Sequence, residues 1–142
     1  MVELHPQLAK DGLLLGQFTL CKLLLMNDAN YPWCILVPDR DSISEMHQLD
    51  EVDQQQLMRE SCLLASILEK EFAADKMNIG ALGNIVPQLH IHHIVRYKND
   101  LAWPAPVWGK ISAKPYTEDV LQDMKGKLQA AIARQCGFNP SK

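Results

Sequence analysis

The chain has 142 residues and a mass of 16.0 kDa, the size of a single hydrophobic core. Its 47% hydrophobic and 22% charged residues exclude a disordered or collagen-like chain. Fourteen Lys and Arg against seventeen Asp and Glu leave a formal charge of −3, which supplies no global positive field for nucleic acid or an anionic membrane. We therefore expect one domain over residues 1–142, with neither nucleic acid nor membrane as partner.

Residues 1–10 are polar and carry Pro6, unlike a signal peptide, and no apolar stretch of about 18 residues follows. Cys21, Cys34, Cys62 and Cys136 never approach C-x-x-C spacing, so they read as reduced thiols rather than a zinc knuckle or redox pair, in a cytoplasmic protein. The apolar run from Gly16 to Met26 reads as a strand, punctuated by Asn27-Asp28-Ala29-Asn30. A second strand, Trp33 to Val37, stops at Pro38, and the two form an antiparallel hairpin. Ser42 and Ser44 offer caps before a long helix over residues 50–74. There Val52, Leu57, Cys62, Leu64, Ile67, Leu68 and Phe72 form the apolar stripe, and Glu60, Ser61, Glu69 and Lys70 the wet face.

Residues 77–82 and 88–97 read as two further strands. A final amphipathic helix spans residues 117–136, with Val120, Leu121, Met124, Leu128, Ile132 and Cys136 inward and Gly137 as its stop. This order is α+β, an antiparallel sheet of about five strands with one long and one C-terminal helix. His5 and His47 read as solvated. Trp103-Pro104-Ala105-Pro106-Val107-Trp108-Gly109 is too rich in proline for a helix or central strand. It either closes over a site or a dimer contact, or pins a loop with two apolar plugs.

Three of five histidines fall within four positions, at His90, His92 and His93. Strand alternation puts Gln88, His90 and His92 on one face and Leu89, Ile91 and His93 on the other, against the long helix. On that reading His93 is structural, at the rim of its face. His90 and His92 could bind a metal as an H-x-H pair, attack phosphorus as neutral imidazoles, or do nothing. No Walker A or G-x-G-x-x-G loop offers another phosphate site.

The segment Gly83-Asn84-Ile85-Val86-Pro87-Gln88-Leu89-His90-Ile91-His92-His93-Ile94-Val95-Arg96 resembles the signature of the histidine triad (HIT) superfamily of nucleotide hydrolases and transferases. That signature is His-x-His-x-His followed by two apolar residues, and Gln88 replaces its first histidine. Ile35-Leu36-Val37-Pro38 resembles the family's Leu-Val-x-Pro strand end, and the likeness covers residues 14–100, leaving 101–138 as a C-terminal extension. Trp33 stands about where the family has a histidine, and Ile85 where it has Ser or Thr.

The resemblance implies a diadenosine polyphosphate hydrolase-like enzyme acting at the α-phosphate of a nucleotide, on dinucleoside polyphosphates or nucleoside phosphoramidates, through a nucleotidyl-histidine intermediate. His90 would be the nucleophile and His92 a hydrogen-bonding partner of the phosphate or leaving group. Gln88 and Asn84 would hold the phosphate, Asn27 the ribose and Leu25 the base, although Leu25 by itself reads as core. Arg96 would add to the field unless it is solvated or in a dimer contact, and Trp108 would lie over the site. Gln88 cannot exchange a proton, so the alternative is a catalytically weakened nucleotide-binding protein. The resemblance implies a homodimer and requires neither cofactor nor metal.

Overall fold

The computed structural model describes residues 1–135 and 137–142. Helix α1 (Pro6–Asp11) precedes β1 (Gly12–Gln17), β2 (Cys21–Met26) and β3 (Trp33–Pro38). After a short 3-10 turn at Met46–Gln48 come α2 (Glu51–Phe72), β4 (Lys76–Ala81), β5 (Ile91–Arg96), α3 (Glu118–Ala133) and β6 (Asn139–Pro140). The strands form one antiparallel sheet in the order β4-β5-β3-β2-β1-β6. This is the α+β architecture expected, with a sixth, two-residue strand added at one edge. The expected place of Cys136 at the end of the last helix lies outside the described residues.

Period-two alternation divides the sheet into two faces. Cys21, Leu23, Leu25, Cys34, Leu36, Ile91 and Val95 pack with Leu57, Leu64 and Leu68 of α2 and Leu128 and Ile132 of α3. Leu24, Trp33, Ile35, Val37 and Ile94 point the other way and are covered by Leu8 of α1 and by Val86, Ala102 and Val107 from loops. Each such leucine taken from water contributes about 1.5–3 kcal/mol, so the long helix is held chiefly by its apolar stripe.

The apolar run from Gly16 to Met26 is not one strand. The chain reverses at residues 18–20, where Phe18 N–H donates to the Cys21 carbonyl, and the turn is held by a carboxylate from α2. Glu60 is buried, and its two oxygens accept the N–H groups of Leu20 and Cys21, each at 2.9 Å. Glu60 and Ser61 were expected on the wet face; both are buried because each serves a polar group of the sheet. The helix is capped not by Ser42 or Ser44 but by Asp50, whose side chain accepts the Asp53 N–H, and it ends at Ala73 in a left-handed conformation (φ 48°).

Replacing Glu60 by Ala strands two buried N–H groups, and we expect a loss of about 3 kcal/mol, with a smaller loss for Glu60→Gln, which keeps one oxygen. Urea unfolding measures both, and an Ala variant within about 0.5 kcal/mol of the parent would show that the turn does not depend on this carboxylate.

Candidate active site

On the face opposite α2 and α3, a cavity of about 510 Å³ opens between α1, the loop before β5 and the Trp108 loop. Its lining includes Leu8, Met26, Ile35, Val86, Asn84, His90, His92 and Trp108, with Gln7, Asp11 and Gly12 at the α1 end. The wall is largely apolar, with a few polar groups at the histidines, at Asn84 and at the α1 end, as is usual for small-molecule sites.

Both imidazoles are buried and lie edge to face, with ring centroids 4.8 Å apart. His90 Nδ1 is 2.7 Å from the carbonyl oxygen of Gln88. A carbonyl only accepts, so Nδ1 carries the proton and the neutral ring presents its lone pair at Nε2. His92 is set the opposite way. The Trp33 indole Nε1–H donates to His92 Nδ1 at 3.0 Å, which puts the proton of the neutral ring on Nε2. One ring therefore offers a nucleophile and its neighbour a donor. Trp108 packs against His92 at 5.4 Å, and it fits because Gly80, the β4 residue paired with His92, has no Cβ; a Cβ there would stand 3.3 Å from the indole. The indole nitrogen of Trp108 is buried without a partner among the described residues.

His93 faces α2. It is not at a rim but fully buried, donating through Nδ1 to the Ile91 carbonyl and accepting the Ser61 hydroxyl at 2.7 Å through Nε2.

The other site candidates divide. Asn84 is exposed and lines the cavity, as does Trp108. Leu25 packs on the helix-facing side of the sheet, one residue out of phase with the cavity, so the neighbouring Met26 and the cross-strand Ile35 line the wall instead. Asn27 accepts the Tyr116 N–H at 2.9 Å and does not line the cavity; it ties the C-terminal extension to the β2–β3 turn.

Arg96 is neither solvated nor at the site. It is buried, paired with Asp100 through two hydrogen bonds of 2.8 and 3.1 Å, and donates to Asn78 and to the Ala105 carbonyl. Tyr31 and Trp103 flank the guanidinium at 5.7 and 5.6 Å. Burial pushes the Asp100 carboxyl up, but Arg96 and the N–H groups of Tyr97 and Trp103 hold it below the usual carboxylate range.

Gln88 does not share a row with the histidines. The strand begins at Ile91, and the Gln88 amide turns outward to the N-terminal segment, accepting the His5 N–H at 2.8 Å and donating to the Glu3 carbonyl at 3.1 Å. Trp33 and α1 are the site elements not assigned a role from the sequence. Pro6 at the first position of a short helix is the one local signal for α1. Among the described residues, no group of three or more His, Cys, Asp or Glu is placed to hold a metal, and no helix is long and apolar enough to cross a membrane.

A family model described as HIT domain matches residues 7–99. Among solved structures, a histidine triad protein from Marinobacter aquaeolei is 50% identical, covering 94% of this chain and 98% of that one with a TM-score of 0.91. One from Bradyrhizobium japonicum is 43% identical over 92% of this chain and 97% of its own, with a TM-score of 0.89. A protein from Sulfolobus tokodaii described as a hypothetical histidine triad nucleotide-binding protein shares the fold, with a TM-score of 0.66 at 14% identity over 87% and 85% of the two chains. A search of the curated proteins finds no match.

Burial, reinforced by repulsion from His90 and His93, pushes His92 down to about 3; burial pushes His93 down to about 4 against the opposing pull of the Ile91 carbonyl. Unfolded histidine titrates near about 6.5, so below that pH the unfolded chain binds more protons and stability falls. Their contribution is complete above pH ~6.5 and declines by about 1.4 kcal/mol per pH unit for each histidine as the pH drops toward the folded values. Urea unfolding between pH ~6 and ~5 should show this slope. His93→Gln should remove about half of it, and an unchanged slope in that variant would mean that His93 is not buried as the neutral ring.

Proposed function

Because the chain belongs to the HIT domain family, we propose that it hydrolyses or transfers a nucleotidyl group at the α-phosphorus through a covalent adduct on His90. The observation that carries this reading is the hydrogen bond from His90 Nδ1 to the Gln88 carbonyl, which leaves Nε2 as the free lone pair beside the cavity. In the first step Nε2 forms a bond to phosphorus, the bond to the leaving group breaks, and the leaving group takes its proton from water. In the second, water adds hydroxide to phosphorus, releases a proton to solvent and returns the electron pair of the P–N bond to Nε2. His92 Nε2–H donates to a non-bridging oxygen, a role that suits a ring kept neutral by burial. Asn84 supplies a further polar contact to the phosphate from the loop. The apolar wall of Leu8, Met26 and Ile35 takes the base.

The lining includes Asp11 but no Lys or Arg. With no cation to neutralise a polyphosphate, charge complementarity favours a nucleoside phosphoramidate over a dinucleoside polyphosphate. The buried free thiols Cys21 and Cys34 support work in the reducing cytoplasm.

For assembly, β4 is an open sheet edge, and Ile79 on it and Met58 on α2 are 49% and 64% exposed. Both line a second, largely apolar cavity of about 540 Å³. A second copy of the chain is the occupant we infer for this face, forming a homodimer through β4 and α2.

Two experiments test these readings. With a fluorogenic adenosine phosphoramidate, His90→Ala should lower kcat by at least about a thousandfold while AMP affinity is retained, and mass spectrometry should find an adenylyl adduct on His90 in the parent. Equal turnover by the variant removes His90 as nucleophile; a parent that binds AMP but turns over neither this substrate nor diadenosine polyphosphates is a binding protein only. For assembly, sedimentation should show a dimer that Ile79→Asp converts to monomer. A parent that is monomeric at all concentrations rules the dimer out.

A further inference from the structure

We propose that Gln88 is a positioning residue whose side-chain amide clamps residues 3–5 so that α1 forms one wall of the nucleotide cavity. This rests on the reading of the cavity as a nucleotide site. The amide makes two complementary bonds to one short stretch of backbone, accepting from His5 N–H and donating to the Glu3 carbonyl. A carboxamide carries both an acceptor and a donor, so it pairs with an extended segment as a neighbouring strand would.

The clamped segment leads directly into the cavity wall. The His5 imidazole accepts the Gln7 N–H and so caps α1, and Pro6 begins the helix. Six residues are too few for a helix to persist in water without tertiary anchors. Its anchors include the Gln88 clamp, the buried Leu8 side chain and the bond from Asn27 N–H to the Asp11 carbonyl, and the segment before the clamp is also tied by Val2 N–H to the Asp39 carboxylate. Gln7, Leu8, Asp11 and Gly12 all line the cavity. Loosening the clamp therefore degrades the nucleotide-binding wall but leaves the Gln88 carbonyl, and with it the ring orientation of His90, in place. Gln88 acts on affinity through the strap rather than on the chemical step.

Full-length variants read by steady-state kinetics on the fluorogenic adenosine phosphoramidate, and by amide hydrogen exchange without substrate, decide this. Gln88→Ala should raise KM about 5–10-fold with kcat within about twofold, and should speed exchange of the Ala9 N–H, which bonds to the His5 carbonyl. Gln88→Glu, which keeps the acceptor and loses the donor, should fall between parent and Ala. His5→Pro removes the N–H that Gln88 accepts, and the native φ of −52° at His5 suits proline. It should raise KM beyond the His5→Ala control, which loses only the cap, and the double variant with Gln88→Ala should raise KM by less than the product of the two single effects, because both remove the bond from His5 N–H.

A Gln88→His variant with raised kcat and unchanged KM would overturn the proposal by giving the position a chemical role. Additive effects of Gln88→Ala and His5→Pro, or unchanged exchange at Ala9, would do the same by removing the clamp. If the parent has no turnover, the enzymatic reading fails while the exchange measurements still decide whether the clamp exists.

Discussion

Strand β5, one in from the edge of the sheet, buries two histidines and an arginine, and a buried polar side chain has to find a partner. Every one of them does: His92 takes the Trp33 indole, His93 takes Ser61 and the Ile91 carbonyl, and Arg96 takes Asp100, Asn78 and the Ala105 carbonyl. His90, one residue before the strand, takes the Gln88 carbonyl. These partners come from β3, α2, β4 and the loop after β5, so satisfying one strand fixes the relative positions of most of the fold around it. The hydrogen bonds also assign the ring protons, leaving one imidazole with a free lone pair and the next with a free N–H donor.

The Arg96 network carries that constraint beyond the sheet. Asp100 accepts from Arg96 and also from the N–H groups of Tyr97, Ala102 and Trp103, so the loop is tied at its start. Trp103 is held on the guanidinium, Ala102 and Val107 are buried, and Trp108 is thereby delivered onto His92 over the gap left by Gly80. The two tryptophans of this segment thus do different work. Trp103 completes an anchor, and Trp108 uses that anchor to form part of the site.

The long helix, the β2–β3 hairpin and the alternation that sends His90 and His92 one way and Leu89, Ile91 and His93 the other follow from periodicity, and they were legible in the sequence. What periodicity does not carry is the partner of a polar residue. Glu60 and Ser61 look like a wet face because they are polar, yet Glu60 closes the β1–β2 turn and Ser61 completes His93. Leu25 and Met26 are both apolar, so composition cannot tell which faces the cavity; the β2–β3 register does, placing Leu24 opposite Ile35 and Leu25 opposite Cys34. Arg96 and Asp100 stand four residues apart, but whether that pair is exposed or buried depends on Tyr31 and Trp103 arriving from elsewhere.

Gln88 shows the same limit at the site itself. By motif, its amide stands where an imidazole is expected and reads as a missing catalytic group. In space, what reaches His90 from residue 88 is its main-chain carbonyl, which any amino acid provides. The tautomer of His90 therefore does not depend on the side chain at 88, and an amide there is available for another purpose. Two hydrogen bonds to Glu3 and His5 give it one, on the outer side of the loop, where proton exchange is not required. A substitution at the first position of the motif thus need not abolish covalent chemistry, so long as the group that orients the nucleophile belongs to the backbone.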